Sequence, residues 1–260
     1  MLNQKNEIML GLQWLKNARE VMDSIESSQQ ESIIKAATFM ADSIQMERWV
    51  HTFGCGHATI PVEEMYPRIG GFVGFHPIIE LPLSFFTHIT GDMGIHQFLF
   101  LERTEGYGNQ IMKSYDFSEN DTMWLFSHSG INNLNIDVAL ESKHRGMKVI
   151  VYGSAGEAMK RKSRHSSGKN LFDIADVVVD TCAPIRDASV ALKNHIDFVG
   201  PTSTLAFVTT VWMTIVTVAE ILEERGVKLF IHPSHNAGDN NAHVRLEEAL
   251  MEYKRRVKLM

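Results

Sequence analysis

Cysteine is scarce in this sequence: Cys55 and Cys182 are the only two in 260 residues. They show no CxxC spacing and cannot by themselves furnish a four-ligand zinc site. A reduced, intracellular compartment is the expectation that follows. Positive charge is short as well. Lys and Arg total 25 against 31 Asp and Glu, a net charge of −6 with histidine neutral. That balance argues against nucleic acid and against an anionic membrane as partners, so any bound anion must be held locally by backbone and hydroxyl donors. The opening residues, MLNQKNEIML, lack the basic-then-apolar order of a secretory signal, and a cytoplasmic protein is expected. One stretch has no charge at all. Phe198 to Ala219 is long enough to span a bilayer, but it carries six threonines, a Gly-Pro start and no basic flank. A core or subunit-interface helix fits those features better.

What is present is the balance of a soluble globular chain: 44% hydrophobic and 22% charged residues, enough to bury a sizeable core. The chain is organised around Thr122 to Arg145, TMWLFSHSGINNLNIDVALESKHR. Met123 to Phe126 is a short apolar run without polar alternation, as in a strand buried on both faces. Ser127-His128-Ser129-Gly130 follows, then Asn132 and Asn133 as helix N-cap candidates, and Gly146 as a stop. Strand, hydroxyl-rich turn and helix together make an anion site, because free N–H groups and the helix dipole converge there. The same residues serve a plain turn and cap equally well.

Upstream, Leu12, Leu15 and Met22, then Ile33, Ala37, Met40 and Ile44, mark two helices with a break at Ser24 to Ser28, read as an antiparallel pair. From Arg48 short apolar runs alternate with helices. Strands are expected at Trp49–Phe53, Phe72–Phe75, Phe98–Leu101, Lys148–Tyr152, Asp176–Asp180 and Val227–Ile231. Ile78 to Gly94 reads as a lid or loop, Arg161 to Lys169 as an exposed basic loop. Gly200-Pro201-Thr202 is expected to open the long uncharged helix, and Ala242 to Lys258 to be the last one. This alternation implies an α/β fold with a doubly wound, mainly parallel sheet, whose ligands sit at strand carboxyl ends. No repeat or linker divides the chain. It is read as a single domain over 1–260, with a helical extension at 1–45 and a C-terminal helix at 242–260.

A strand ending in Gly54-Cys55-Gly56, a second ending in SxSG with asparagine soon after, and a GPTST turn before a long helix resemble the sugar isomerase (SIS) domain over about residues 48 to 232. His165 to Asp180 and Ser234 to Asn241 resemble more closely a bacterial branch of single-SIS proteins related to the phosphoheptose isomerases. The resemblance implies a three-layer αβα sandwich, preceded here by the N-terminal helical pair, that binds a small-molecule sugar phosphate and forms a homodimer or homotetramer. It also implies that Ser127, Ser129 and the backbone of Gly130 to Asn132 cradle the phosphate. His128, inside the same turn, lies at the expected substrate site as a donor to the sugar or a contact to the next subunit. Thr202, Ser203 and Thr204 would help bind phosphate or sugar, or only cap their helix. Gly54, Cys55 and Gly56 would line the sugar's approach, or only form a tight turn.

Isomerisation between aldose and ketose needs a base beside a carbon-bound proton. Glu63-Glu64 is similar to the paired glutamates of phosphoheptose isomerases. Neighbours on a helix point about 100° apart, so at most one faces the crevice, and Glu64 is the choice. His57 and His235 are further candidates for proton transfer. Ile60 stands where those enzymes carry a metal-binding histidine, so neither a metal nor another cofactor is expected. The function implied is an aldose–ketose sugar-phosphate isomerase. The alternatives are a SIS-type lyase or etherase acting on a phosphorylated amino sugar, and a non-catalytic phosphosugar-sensing module. Light scattering at micromolar concentration should give an even-numbered oligomer; a clean monomer mass would exclude the expected assembly.

Overall fold

The structure is a computed structural model, which describes residues 9–65, 68–85, 94–234, 236 and 238–258. Its centre is a parallel five-stranded sheet in the order β2-β1-β3-β4-β5. The strands are β1 Val50–Gly54, β2 Phe75–Ile78, β3 Thr122–Phe126, β4 Lys148–Gly153 and β5 Val177–Asp180. β1 and β3 are buried at every position, as strands covered on both faces must be. Successive side chains of β3 go to opposite layers. Trp124 and Phe126 pack with the Gln30–Gln45 and Ser203–Glu224 helices. Met123 and Leu125 pack with Leu134 and Val138 of the Asn133–His144 helix. Those two cores make the three layers of an αβα sandwich.

The uncharged stretch is accounted for by this packing. Phe207, Val211, Ile215, Val218 and Leu222 of the Ser203–Glu224 helix are buried against the sheet and the Gln30–Gln45 helix. By length and composition alone this helix could cross a membrane. Its buried threonines stay satisfied without charge: Thr210 Oγ1 donates to Ala206 O and Thr214 Oγ1 to Thr210 O.

Five expectations are corrected. The Leu10–Ser28 and Gln30–Gln45 helices meet at Gln29 alone, with Gln29 N–H on Ile25 O and Ile33 N–H on Gln29 O. One residue cannot reverse a chain, so the pair is a bend and not an antiparallel hairpin. The serines stay helical because Ser24, Ser27 and Ser28 donate to carbonyls one turn back. Phe98–Leu101 lies inside the Ile95–Arg103 helix; four apolar residues hold no period to separate helix from strand. Phe72 and Ile231 share only an isolated antiparallel bridge, so β2 starts at Phe75 and Val227–Ile231 adds no strand to the sheet. Phe198–Pro201 is β7, paired antiparallel with β6 Ala188–Ala191, so Gly200-Pro201 ends a hairpin and does not open the helix. Of the lid expected at Ile78 to Gly94, residues 86–93 lie outside the described residues.

At the amino ends of the strands a buried polar cluster ties β1, β2 and β3 together. His51 Nδ1 lies 3.0 Å from His76 Nδ1, and Asp121 accepts from Arg48 Nε and Nη2 and from the Trp49 and Ser118 N–H groups. Burial opposes ionisation of Asp121, but His51, Arg48 and Trp49 N–H outweigh it and hold the carboxyl at about 2. Burial, with His51 adding to it, pushes His76 down to about 4. An unfolded chain therefore takes up a proton at His76 below about pH 6.5 that the folded chain refuses. Stability should fall as pH drops from about 6.5 to about 4, by up to about 3 kcal/mol from this group. Urea unfolding across that range tests it. His76→Asn, which keeps a donor near Nδ1 but cannot titrate, should flatten the slope.

Candidate functional site

The chain leaves β1 toward β2 on one side of the sheet and returns as β3 on the other, so the β1–β3 boundary is the topological switch point. Both glycine-bearing turns open there. After β1, a Cβ on Gly54 would lie 2.1 Å from the Ala58 carbonyl oxygen, so the chain turns at once into a one-turn helix, Gly56–Thr59. After β3, Ser127 Oγ accepts the Gly130 N–H at 3.2 Å. Gly130 has φ 66°, and a side chain there would run into Phe172 and Asn170. The glycines at these turns give the backbone its path.

Between the turns lies a cavity of about 250 Å³. Cys55, His57 and Ala58 line it from β1, and Ser127, His128, Ser129 and Asn132 from β3. Phe98, Glu102 and Asn135 complete the wall from two helices. Asn132 is the N-cap of the Asn133–His144 helix, yet its side chain makes no capping bond. Its Nδ2 donates instead to Glu102 Oε2 at 2.9 Å. The positive end of a 12-residue helix and two serine hydroxyls therefore share one wall.

Glu102 is the residue that sequence reasoning missed. It is 7% exposed, and burial raises its carboxyl pKa while Arg103, Arg164 and Asn132 hold it back. The strand expected at Phe98–Leu101 ended before Glu102 and gave it no face to share with Phe98. On a helix, Phe98 and Glu102 are four apart and share a face, which is the signal that could have placed Glu102 in the cavity. Burial, with Glu102 adding to it, drives the Cys55 thiol far up, so it is no nucleophile. Burial lowers the His57 pKa, Asp187 raises it and His128 lowers it further. His128 Nε2 lies 3.2 Å from the Ile185 carbonyl oxygen. A carbonyl only accepts, so that nitrogen's proton is committed inside the protein and the expected donation to a sugar is not available from it.

Of the remaining expected residues, the described ones lie outside the cavity lining. Glu64 Oε1 accepts from Trp212 Nε1 at 3.3 Å and pairs with Arg68 Nε at 3.1 Å, turned toward the long helix and off the cavity wall. Glu63 is exposed. His235 lies outside the described residues. Thr202 and Ser203 are fully buried and give their N–H groups to Asp187 Oδ1 at 3.0 and 2.8 Å, while Ser203 Oγ donates to Asp187 Oδ2. The carboxylate of the chain's own Asp187 takes the place an external anion would need at this helix start. Thr204 sits part-buried on the same first turn. Among the described residues no three His, Cys, Asp or Glu side chains gather as metal ligands.

The SIS domain family matches residues 13–154 of this chain. A UPF0309 protein of Thermoanaerobacter pseudethanolicus is 34% identical over 253 residues, covering 95% of this chain and 98% of that protein. A UPF0309 protein of Listeria innocua serovar 6a is 35% identical over 185 residues, covering 71% of this chain and 72% of its own. Among solved structures, a phosphoheptose isomerase from Francisella tularensis superposes with a TM-score of 0.52 at 14% identity, covering 80% of this chain and 95% of that one. At that identity the likeness is one of fold.

Asp187 carries a testable consequence. Its φ of 66° is uncommon for a residue other than glycine, and its carboxylate satisfies the two N–H groups at the helix start. Asp187→Ala should cost about 1–3 kcal/mol in chemical denaturation, the range for leaving charge-assisted donors unpaired. Asp187→Asn, which tolerates the left-handed conformation, should cost less.

Proposed function

Because the chain belongs to the SIS domain family, we propose that it binds a sugar phosphate in the β1–β3 cavity and interconverts its aldose and ketose forms. The observation that carries this reading is the cavity's composition: hydroxyl donors and a helix start on one wall, one buried carboxyl on another. A phosphate sits on Ser127, Ser129 and the N–H groups leading into the Asn133–His144 helix, where charge-assisted hydrogen bonds and the dipole favour a dianion. The sugar then extends toward Glu102. Glu102 takes the proton from the carbon beside the carbonyl and returns it to the neighbouring carbon. Its raised pKa suits that role, since a base works best when its pKa lies near the working pH. His57, held neutral at the mouth, donates to the carbonyl oxygen as negative charge builds there. Glu102 thus takes the role first given to Glu64. Exposed Ile34, Val216 and Met251 offer apolar surface for a homo-oligomer.

Ribose 5-phosphate, glucose 6-phosphate and sedoheptulose 7-phosphate in heavy water test the reading by proton exchange and turnover. Glu102→Gln should lower both by about 10²–10⁴-fold with affinity nearly unchanged, and Glu64→Gln should resemble the unaltered protein. Ser129→Ala should weaken binding of the active sugar phosphate by about 1–3 kcal/mol, and barely affect the unphosphorylated sugar. Binding without exchange in any of the three would replace the isomerase with a sensing module. No binding at all would remove the phosphosugar reading.

A further inference from the structure

Resting on the reading of the cavity as a sugar-phosphate site, we propose that Arg164 is the cation that engages the ligand's phosphate and, through Asn132, links its arrival to Glu102. The contacts form a chain. Arg164 Nη1 donates to Asn132 Oδ1 at 2.5 Å, and Asn132 Nδ2 donates to Glu102 Oε2 at 2.9 Å. An amide placed between a guanidinium and a carboxylate is polarised by both, and each bond strengthens the other. The position of Arg164 is set by its own backbone, whose N–H donates to Ile131 O at 3.1 Å. That bond joins the exposed 161–169 loop to the turn that lines the cavity.

Arg164 is exposed, and one of the five N–H donors of a guanidinium goes to Asn132. The planar fork is suited to two phosphate oxygens at once, which a lysine cannot match. Arg161, Lys162 and Lys169 lie on the same loop, a local positive surface on a chain of net charge −6. Such a patch beside a cleft draws in an anionic ligand.

The link has a definite sign. With no ligand, Arg164 favours the ionised carboxylate of Glu102, against the burial that raises its pKa. A phosphate dianion paired with Arg164 cancels that positive charge, and Glu102 becomes the stronger base while the ligand is seated. The other charged or titratable groups facing Glu102 are Arg103 on its own helix, 3.8 Å away, and Cys55, His57 and His128 on the cavity wall. Asn132 connects Glu102 to Arg164 by two hydrogen bonds across the turn. The consequence is selectivity: a phosphorylated sugar both binds and readies the base, while the same sugar without phosphate does neither.

The test reads binding and titration without requiring turnover. Inorganic phosphate and ribose 5-phosphate are titrated calorimetrically into the full chain. The Glu102 carboxyl is followed against pH by carbon NMR, its signal assigned by loss in Glu102→Gln. Arg164→Gln should weaken phosphate binding about 10-fold or more, and in phosphate-free buffer should move the Glu102 titration upward. Arg164→Lys should leave the Glu102 titration near that of the unaltered protein but restore phosphate affinity only in part. If Arg164→Gln leaves either the affinity or the titration where it was, the proposal is overturned and the sugar-phosphate reading stands. If the unaltered protein binds neither probe, that reading falls, and this one with it.

Discussion

Gly54 lies opposite Phe126 on the last rung of the parallel ladder between β1 and β3. Everything at the candidate site depends on that pairing. Two parallel strands in register end at the same height, so the turns that leave them open into one crevice. The order of the sheet places this pair where the chain changes direction, leaving the crevice free of a crossover helix. Cys55 and His57 arrive from one side, Ser127 to Asn132 from the other. Neither turn makes a site alone.

The acidic excess of the chain finds its use in the loops. Asp121 holds the Trp49 and Ser118 amides, Asp137 those of Gly106 and Gly108, and Asp180 those of Ala155, Gly156 and Cys182. Asp187 does the same for Thr202 and Ser203. Each carboxylate satisfies backbone donors that would otherwise stand unpaired at a turn or helix start. The start of the Asn133–His144 helix differs, because its N-cap side chain is turned away to Glu102. Internal carboxylates occupy those four donor clusters, and the start of the Asn133–His144 helix is left facing the cavity. Glu102 is the carboxyl on the cavity wall.

The parallel sheet's strands β1, β3, β4 and β5 and the turns after β1 and β3 were legible in the sequence. Met123 to Phe126 and Val149 to Tyr152 are apolar runs too short for a helix to bury and too continuous for a half-exposed strand. Ser127 to Gly130 and Gly54 to Gly56 lie at the ends of β3 and β1, and the structure brings residues of both turns to one cavity. Short runs without flanking signals were not legible. Phe98 to Leu101 contains no period, and its helical state is set by packing against the Asn133–His144 helix.

Local chemistry, then, determined the strands β1, β3, β4 and β5, the turns that leave β1 and β3, and that most of the long uncharged segment is a helix, because these follow from periodicity and backbone sterics within a few residues. Tertiary structure alone decided which carboxyl enters the cavity. Glu64 sits on a helix that turns it to Trp212 and Arg68, while Glu102 sits on one that turns it to Asn132. It also decided that the donors of Thr202 and Ser203 belong to Asp187, 15 and 16 residues earlier in the chain. A side chain's direction depends on how its helix is rolled against its neighbours. That roll is set by contacts between segments far apart in sequence, which no local pattern records.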